Sequence, residues 1–213
     1  MRSDCFPYHV TARSNNKELF PGEQDLMWKV ITSELYLLTL THEIEIQSFV
    51  LMPNHFHLII TVPKADLGVV MNLLMSAVTK SVNYYTSRSG HVFGGPYFWS
   101  LITATRYYGH AFKYVYRNPV RARICDQVEE YRFSTLHGLL GQSALPFPLT
   151  YTRLGMEINL PEQENHNAWL DWLNRPFPME AEKLIRKAMS LREMKTLLNR
   201  QSRKPVQELE DFL

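Results

Sequence analysis

The most informative absence in this chain of 213 residues is that of acidic side chains from its middle. No Asp or Glu occurs between Leu67 and Cys125, although the whole chain contains 21 of them. The same span carries these basic residues: Lys80, Arg88, Arg106, Lys113, Arg117, Arg121 and Arg123. A long basic stretch without carboxylates is typical of a surface that binds a polyanion, so we predict that these side chains contact one.

Cysteines and long apolar runs are also scarce. The two cysteines, Cys5 and Cys125, do not form a CxxC-type pattern, so we expect free thiols rather than a disulfide or a zinc site. No apolar run is long enough to span a bilayer, and the N-terminus contains no hydrophobic signal core. We therefore expect a cytoplasmic protein without membrane contact.

Two histidines that could hold a metal ion follow a Pro-Asn turn. Two apolar, β-rich runs flank Pro53-Asn54, which predicts two strands that meet at a tight turn, the second from His55 to Val62. Side chains alternate along a strand, so His55 and His57 share one face. Two imidazoles on a stiff element are suited to hold a metal ion, although this pair alone is equally compatible with ordinary structural histidines.

A helix predicted further along the chain carries a tyrosine on the same face as two possible ligands. Taken as a helix that ends near Pro119, the segment places His110, Tyr114 and Asn118 at i, i+4 and i+8. Tyr116 points away from that face. A divalent cation held by two histidines and an amide oxygen could polarise a phosphate beside a tyrosine nucleophile, as metal-assisted phosphodiester cleavage requires.

Both segments resemble motifs of a known family. The run Met52–His57 resembles the histidine-hydrophobe-histidine (HUH) motif of the single-tyrosine nucleases. The run Tyr114–Ala122 resembles the tyrosine helix of the IS200-like transposases, in particular the REP-associated tyrosine transposase branch. The resemblance covers roughly Tyr8 to Ile124. It implies a metal-dependent endonuclease and strand transferase that acts on single-stranded hairpin or palindromic DNA through a 5′-phosphotyrosine intermediate.

The resemblance also implies the role of individual residues. Tyr114 would be the nucleophile, and Mg²⁺ or Mn²⁺ would be held by His55, His57 and Asn118. Many members of the family have a glutamine where this chain has Asn118, while the REP-associated branch has asparagine there. His110 stays the second candidate for the third ligand, because imidazole also binds Mn²⁺. The basic residues of the acid-free stretch would contact the DNA.

Two other kinds of function stay open at this point. One is a protein that descends from such a transposase and binds DNA hairpins without cutting them. The other is an unrelated hydrolase in which His55 and His57 hold zinc and activate water, although the acid-free middle of the chain offers no carboxylate base for it. Relatives differ in oligomeric state, so both a monomer and a homodimer are compatible with the sequence.

Periodicity along the chain predicts an α+β fold. The predicted order is strand, helix, strand, strand, helix, strand, helix, which indicates a ferredoxin-like antiparallel sheet with its helices on one face. The predicted elements are a strand at Tyr8–Arg13, a helix from Pro21 to about Leu40, strands at Glu43–Met52 and His55–Val62, a helix starting at Ala65-Asp66, and a strand at Phe98–Thr105. The family resemblance implies the same fold.

A change of composition predicts a second region. We place an HUH single-tyrosine nuclease domain at residues 1–125 and a C-terminal extension at residues 126–213. Within the extension, the proline-rich run Ala144–Pro148 indicates a linker. Two helices are predicted after it, one from Asn165 to Asn174 and one from Met179 to about Arg200.

Overall fold

The computed structural model describes residues 3–150 and 166–194, and its centre is one five-stranded sheet. The strands are β1 (Tyr8–Arg13), β2 (Glu45–Met52), β3 (His55–Thr61), β4 (Phe98–Ile102) and β5 (Glu193–Met194). Their order across the sheet is β2-β3-β1-β4-β5. The first four strands pair antiparallel, and β5 adds to β4 in parallel. The predicted antiparallel pairing therefore holds for β1 to β4, and β5 makes the sheet mixed.

Six helices are described around this sheet. They are α1 (Gln24–Thr41), α2 (Leu67–Tyr85), α3 (Thr105–Arg121), α4 (Thr135–Leu139), α5 (His166–Asn174) and α6 (Met179–Met189). Asp66 caps α2, because its carboxylate accepts hydrogen bonds from the backbone N–H groups of Gly68 at 2.9 Å and Val69 at 3.3 Å. The predicted α+β fold with C-terminal helices is confirmed. None of the helices described in residues 3–150 and 166–194 is long and apolar enough to cross a membrane.

The helices lie on both faces of the sheet, which corrects the prediction of a single helical layer. On one face, Trp28 of α1 stacks on Phe49 of β2 with ring centroids 5.5 Å apart, and Phe49 contacts Phe56 of β3. On the other face, Tyr114 of α3 contacts His57. The alternation of β3 is the reason, because Phe56 and His57 point to opposite faces and each face needs its own cover.

The tyrosine helix continues past its predicted end. Helix α3 runs through Pro119 to Arg121, with Ala122 as its C-cap. A proline inside a helix cannot donate a hydrogen bond to the carbonyl four residues earlier, here that of Val115. The Nδ2 of Asn118 lies 3.5 Å from this carbonyl oxygen and donates to the carbonyl oxygen of Tyr114 at 2.9 Å. The side chain of Asn118 thus supplies part of the bonding that Pro119 removes.

The last described helix is shorter than predicted. Helix α6 ends at Met189 instead of near Arg200, and the chain then forms β5. The edge of β4 explains the break, since Leu101 N–H donates to the carbonyl oxygen of Arg192 at 3.0 Å and an unpaired strand edge is unfavourable. The rest of the predicted helix, residues 195–200, lies outside the described residues.

Residues after Cys125 pack directly on the edge strand β2. Tyr131 Oη donates to the carbonyl oxygen of Leu51 at 2.6 Å, and Thr150 N–H donates to that of Ile46 at 2.8 Å. The proposed boundary at Cys125 stays a prediction, but the chain beyond it shares contacts with the sheet.

Candidate active site

The two histidines of β3 lie side by side at the start of the strand. Their ring centroids are 4.9 Å apart and the rings are nearly perpendicular, at 80°. His57 is 6% exposed, whereas His55 is only partly buried. In the register of β1 and β3, Thr11 is opposite His57 and Arg13 is opposite His55. The pair therefore opens toward solvent at the His55 end, beside an arginine that the sequence analysis did not single out.

The Nδ1 atom of each histidine is already engaged in a hydrogen bond. His55 Nδ1 is 2.7 Å from Oδ1 of Asn54, and Asn54 Nδ2 in turn donates to the carbonyl oxygen of Lys17 at 2.9 Å. Since an amide oxygen only accepts, His55 Nδ1 carries the proton and its Nε2 keeps the lone pair. His57 Nδ1 lies 2.9 Å from Nε2 of His9, so Nε2 of His57 also stays outside this bond.

Burial keeps both histidines neutral. Burial lowers the pKa of His55 to about 4, with further contributions from the charges of Arg13 and Arg121. Burial, followed by His9 and His55, holds the pKa of His57 well below its ordinary range. A neutral imidazole is the form that coordinates a metal ion.

Helix α3 places Tyr114 against this pair. The ring centroids of Tyr114 and His57 are 5.9 Å apart, with the rings at 87°. Arg121, two helical turns further along, donates from Nη1 to Tyr114 Oη at 2.6 Å. The same guanidinium forms an ion pair with Glu182 of α6, with Nε and Oε1 3.1 Å apart. Arg121 thus links the phenol oxygen of Tyr114 to a carboxylate of α6.

Asn118 is one turn after Tyr114 on the same helix and is 5% exposed. Because its Nδ2 donates to the helix backbone, Oδ1 remains as its acceptor atom. An amide oxygen and two neutral imidazoles are donors that Mn²⁺ accepts, and the oxygen also suits Mg²⁺. Within residues 3–150 and 166–194, no group of three or more His, Cys, Asp or Glu side chains could hold a metal. By donor type, His55, His57 and Asn118 form a set that such a cation accepts.

The two alternative residues of α3 have other surroundings. His110 is buried, and its ring lies 6.1 Å from that of Phe177, just before α6. Tyr116 is 1% exposed, and its Oη lies 2.9 Å from Oγ1 of Thr135. The prediction that Tyr116 faces away from the site is confirmed.

Most of the predicted polyanion-binding residues lie on the surface. The exposed ones are Lys80, Arg88, Arg106, Arg121 and Arg123. Lys80 lines a cavity of about 730 Å³ between α2 and the loop that contains Gly94 and Gly95. Arg121 reaches the candidate active site through its hydrogen bond to Tyr114 Oη.

Lys113 is buried, which argues against its predicted contact with DNA, whereas Arg117 is half-buried and its predicted contact with DNA stays a prediction. Lys113 is 2% exposed, with Nζ 5.1 Å from the ring centroid of Trp172 and 5.0 Å from that of Phe177. Arg117 donates to the carbonyl oxygens of Leu173, at 2.8 Å, and Asn174 at the end of α5. Both side chains hold the C-terminal helices, where a cation meets aromatic faces and a helix C-terminus.

The structure adds His9 and Arg13 to the site. From the sequence, His9 is a possible further ligand, although a lone histidine on a strand is more often structural, and Arg13 is not singled out. The alternation of Tyr8–Arg13 places both on one face of β1. Their proximity to the histidine pair depends on the register of β1 against β3, which no local pattern specifies.

Comparison with known proteins agrees with the motifs. No family model matches the chain. The chain is 31% identical over 104 residues to a REP-associated tyrosine transposase of Escherichia coli K12, a match over 48% of this chain and 60% of that relative. This similarity confirms the resemblance that the two motifs indicate.

A solved structure shares the fold. It is that of a REP-associated tyrosine transposase bound to a REP hairpin, with a TM-score of 0.55 and 20% sequence identity. The superposition covers 73% of this chain and 93% of the other. The α+β architecture around the histidine strand is thus one that occurs in a transposase.

Proposed function

We propose that this protein is a metal-dependent single-stranded DNA endonuclease and strand transferase, similar to the REP-associated tyrosine transposases. The observation that carries the proposal is the contact of Tyr114 with His57 at 5.9 Å between ring centroids, with Nε2 of both histidines outside the Nδ1 hydrogen bonds. Hairpin DNA is the proposed substrate, because the similar transposase structure holds a REP hairpin. Such a reaction would take place in the bacterial cytoplasm, by a monomer or a homodimer.

Tyr114 is the proposed nucleophile. Its Oη forms a bond to the scissile phosphorus while the bond from phosphorus to the 3′ oxygen breaks. The phenol proton is lost and the leaving oxygen is protonated, so the products are a 5′-phosphotyrosine and a free 3′-hydroxyl. Attack by another 3′-hydroxyl on the phosphotyrosine reverses the reaction and joins two strands. Arg121 donates a hydrogen bond to the phenol oxygen and so holds it in position.

Nε2 of His55, Nε2 of His57 and Oδ1 of Asn118 are the proposed ligands of Mg²⁺ or Mn²⁺. When bound, the cation would polarise the scissile phosphate and stabilise charge on its oxygens. Asn54 positions His55 for this task by fixing the proton on Nδ1. The hydrogen bonds of Asn118 to the helix backbone orient its amide in the same way.

The exposed basic residues are the proposed DNA contacts. They are Lys80, Arg88, Arg106, Arg121 and Arg123, to which the structure adds Arg13 beside His55. Neutralising backbone phosphates supplies most of the affinity of such surfaces and makes it salt-dependent.

The proposal is tested by incubating the protein with labelled single-stranded hairpin DNA and Mn²⁺, followed by a denaturing gel. A covalent protein–DNA adduct is expected, and both Tyr114→Phe and EDTA should abolish it. Tyr116→Phe is the matched control, since it removes a phenol oxygen from the opposite face of the same helix and should retain the adduct. Binding of many hairpins without any adduct would favour a recognition-only protein, and cleavage by Tyr114→Phe would move the chemistry elsewhere.

The third ligand is tested separately. Asn118→Ala should abolish metal-dependent adduct formation, whereas His110→Ala should retain it. Asn118→Gln keeps an amide oxygen and should retain part of the activity. The opposite result, loss in His110→Ala and activity in Asn118→Ala, would assign the ligand to His110.

A further inference from the structure

We infer that His9 is a positioning residue for this metal site: when Nε2 of His57 binds the cation, His9 accepts the Nδ1 proton of His57 and so orients the ring. The inference rests on the proposed function, since it concerns the metal ligands named there. His9 does not itself bind the cation through Nε2 in this arrangement, because that atom is directed at Nδ1 of His57.

The contact between the two rings is close and shielded from water. His9 Nε2 lies 2.9 Å from His57 Nδ1, and the two rings are nearly parallel, at 18°, with centroids 5.2 Å apart. His9 is 3% and His57 6% exposed. A hydrogen bond buried to this extent is not exchanged for bonds to solvent, so the partner decides where the ring keeps its proton.

One proton is shared in this bond, and its place decides whether His57 can bind a cation. If His57 donates, its Nε2 has a lone pair available for coordination. If His9 donates, a neutral His57 carries its proton on Nε2 and coordinates nothing through that atom. Only the first arrangement leaves Nε2 of His57 available for the cation. In it His9 accepts at Nε2 and carries its own proton on Nδ1, which is buried and has no hydrogen-bond partner among the described residues, so the bond between the two rings is the polar contact that holds His9 in this state.

The two histidines of the motif are therefore positioned differently. The amide oxygen of Asn54 can only accept, so the proton of His55 stays on Nδ1. Nε2 of His9 can accept or donate, so the proton of His57 can lie on either Nδ1 or Nε2. Coordination of a cation at Nε2 of His57 selects the state in which His9 accepts.

The test measures the affinity of the purified protein for Mn²⁺ alone, by calorimetry, without DNA. His9→Phe keeps a ring but removes the acceptor, and we expect it to weaken Mn²⁺ binding by about 10–100-fold, the usual effect of losing the hydrogen-bond partner of a metal-ligating histidine. His9→Gln keeps an acceptor near the position of Nε2 and should restore most of the affinity. His91→Phe, at an exposed histidine outside the site, is the control.

A spectroscopic measurement on the unmodified protein separates positioning from mere packing. In ¹⁵N NMR spectra of the Mg²⁺-bound protein, the shared proton should reside on Nδ1 of His57 and Nε2 of His9 should be unprotonated. A proton on Nε2 of His9 in that state would overturn the inference, as would wild-type Mn²⁺ affinity in a folded His9→Phe variant.

The results also separate this inference from the proposed function. If the wild-type protein binds neither cation and forms no adduct, the proposed metal site fails and this inference with it. If the wild type binds Mn²⁺ and forms the adduct while His9→Phe does both equally well, only the role of His9 is refuted.

Discussion

The hydroxyl group of Thr135 in α4 joins this helix to β2 and to α3. Its removal should lower the free energy of unfolding even when the substituted side chain has nearly the same shape. Its Oγ1 accepts from Phe49 N–H at 3.0 Å, lies 2.9 Å from Tyr116 Oη, and donates to the carbonyl oxygen of Phe49 at 3.2 Å. These residues are no more than 1% exposed. Thr135→Val fills the same volume but removes the oxygen with which the N–H of Phe49 and the hydroxyl of Tyr116 form these bonds.

The magnitude follows from the number of orphaned groups. A buried donor that loses its partner costs about 1–3 kcal/mol, so two donors predict a loss of about 2–6 kcal/mol in the free energy of unfolding. Thr135→Ser keeps the hydroxyl and removes one methyl group, which predicts a loss of only about 1 kcal/mol. Urea unfolding of both variants measures the difference, with equal slopes as the check for two-state behaviour.

A double-mutant cycle with Tyr116→Phe sharpens this prediction. In the Tyr116→Phe background the hydroxyl of Tyr116 is absent, so Thr135→Val should cost less than in the wild type, by about 1 kcal/mol. The reasoning would be refuted if Thr135→Val were no more destabilising than Thr135→Ser, or if the two changes at Thr135 and Tyr116 were simply additive.

Two further predictions concern charge. Because burial lowers the pKa of His55 to about 4 and that of His57 also well below its usual range, protons compete with the cation only at low pH. Calorimetric Mn²⁺ affinity should thus be constant from about pH 8 to about pH 5.5 and fall below that, whereas a fall centred near the ordinary histidine pKa of about 6.5 would contradict it. Burial also lowers the pKa of Lys113 to about 8, so the folded state loses this proton before the unfolded state does. The unfolding free energy of the wild type should therefore rise relative to that of Lys113→Met as pH increases from about 8 toward about 10.5, and parallel pH profiles in urea unfolding would refute this.

The sequence alone predicted the strand and the helix that carry the candidate site residues. Alternation around Phe56 placed His55 and His57 on one face of a strand, and helical spacing placed Tyr114 and Asn118 on one face of a helix. Both predictions depend on periods of two and 3.6 residues, which are properties of the chain itself. Pro53-Asn54 likewise marked the turn that starts the histidine strand.

The ends of two helices were less predictable from the sequence. Pro119 suggested a helix end, yet α3 continues because the amide of Asn118 replaces part of the missing backbone bonding. An apolar stripe suggested a helix as far as Arg200, yet α6 stops at Met189 because the next residues complete the edge of β4. In both cases the position of the helix end depends on a hydrogen bond that the helical periodicity of the sequence does not reveal.

The tertiary structure decided which residues surround the histidine pair and helix α3. A local pattern states the direction of a side chain on its own element, but not which element packs there, because that depends on register and topology between distant segments. The register of β1 against β3 brings His9 to His57 and Arg13 to His55. Packing of the C-terminal helices on α3 takes Lys113 away from the surface that its charge suggested. The sequence thus determined which side chains share one face of the histidine strand or of α3, and the tertiary structure decided which residues contact them.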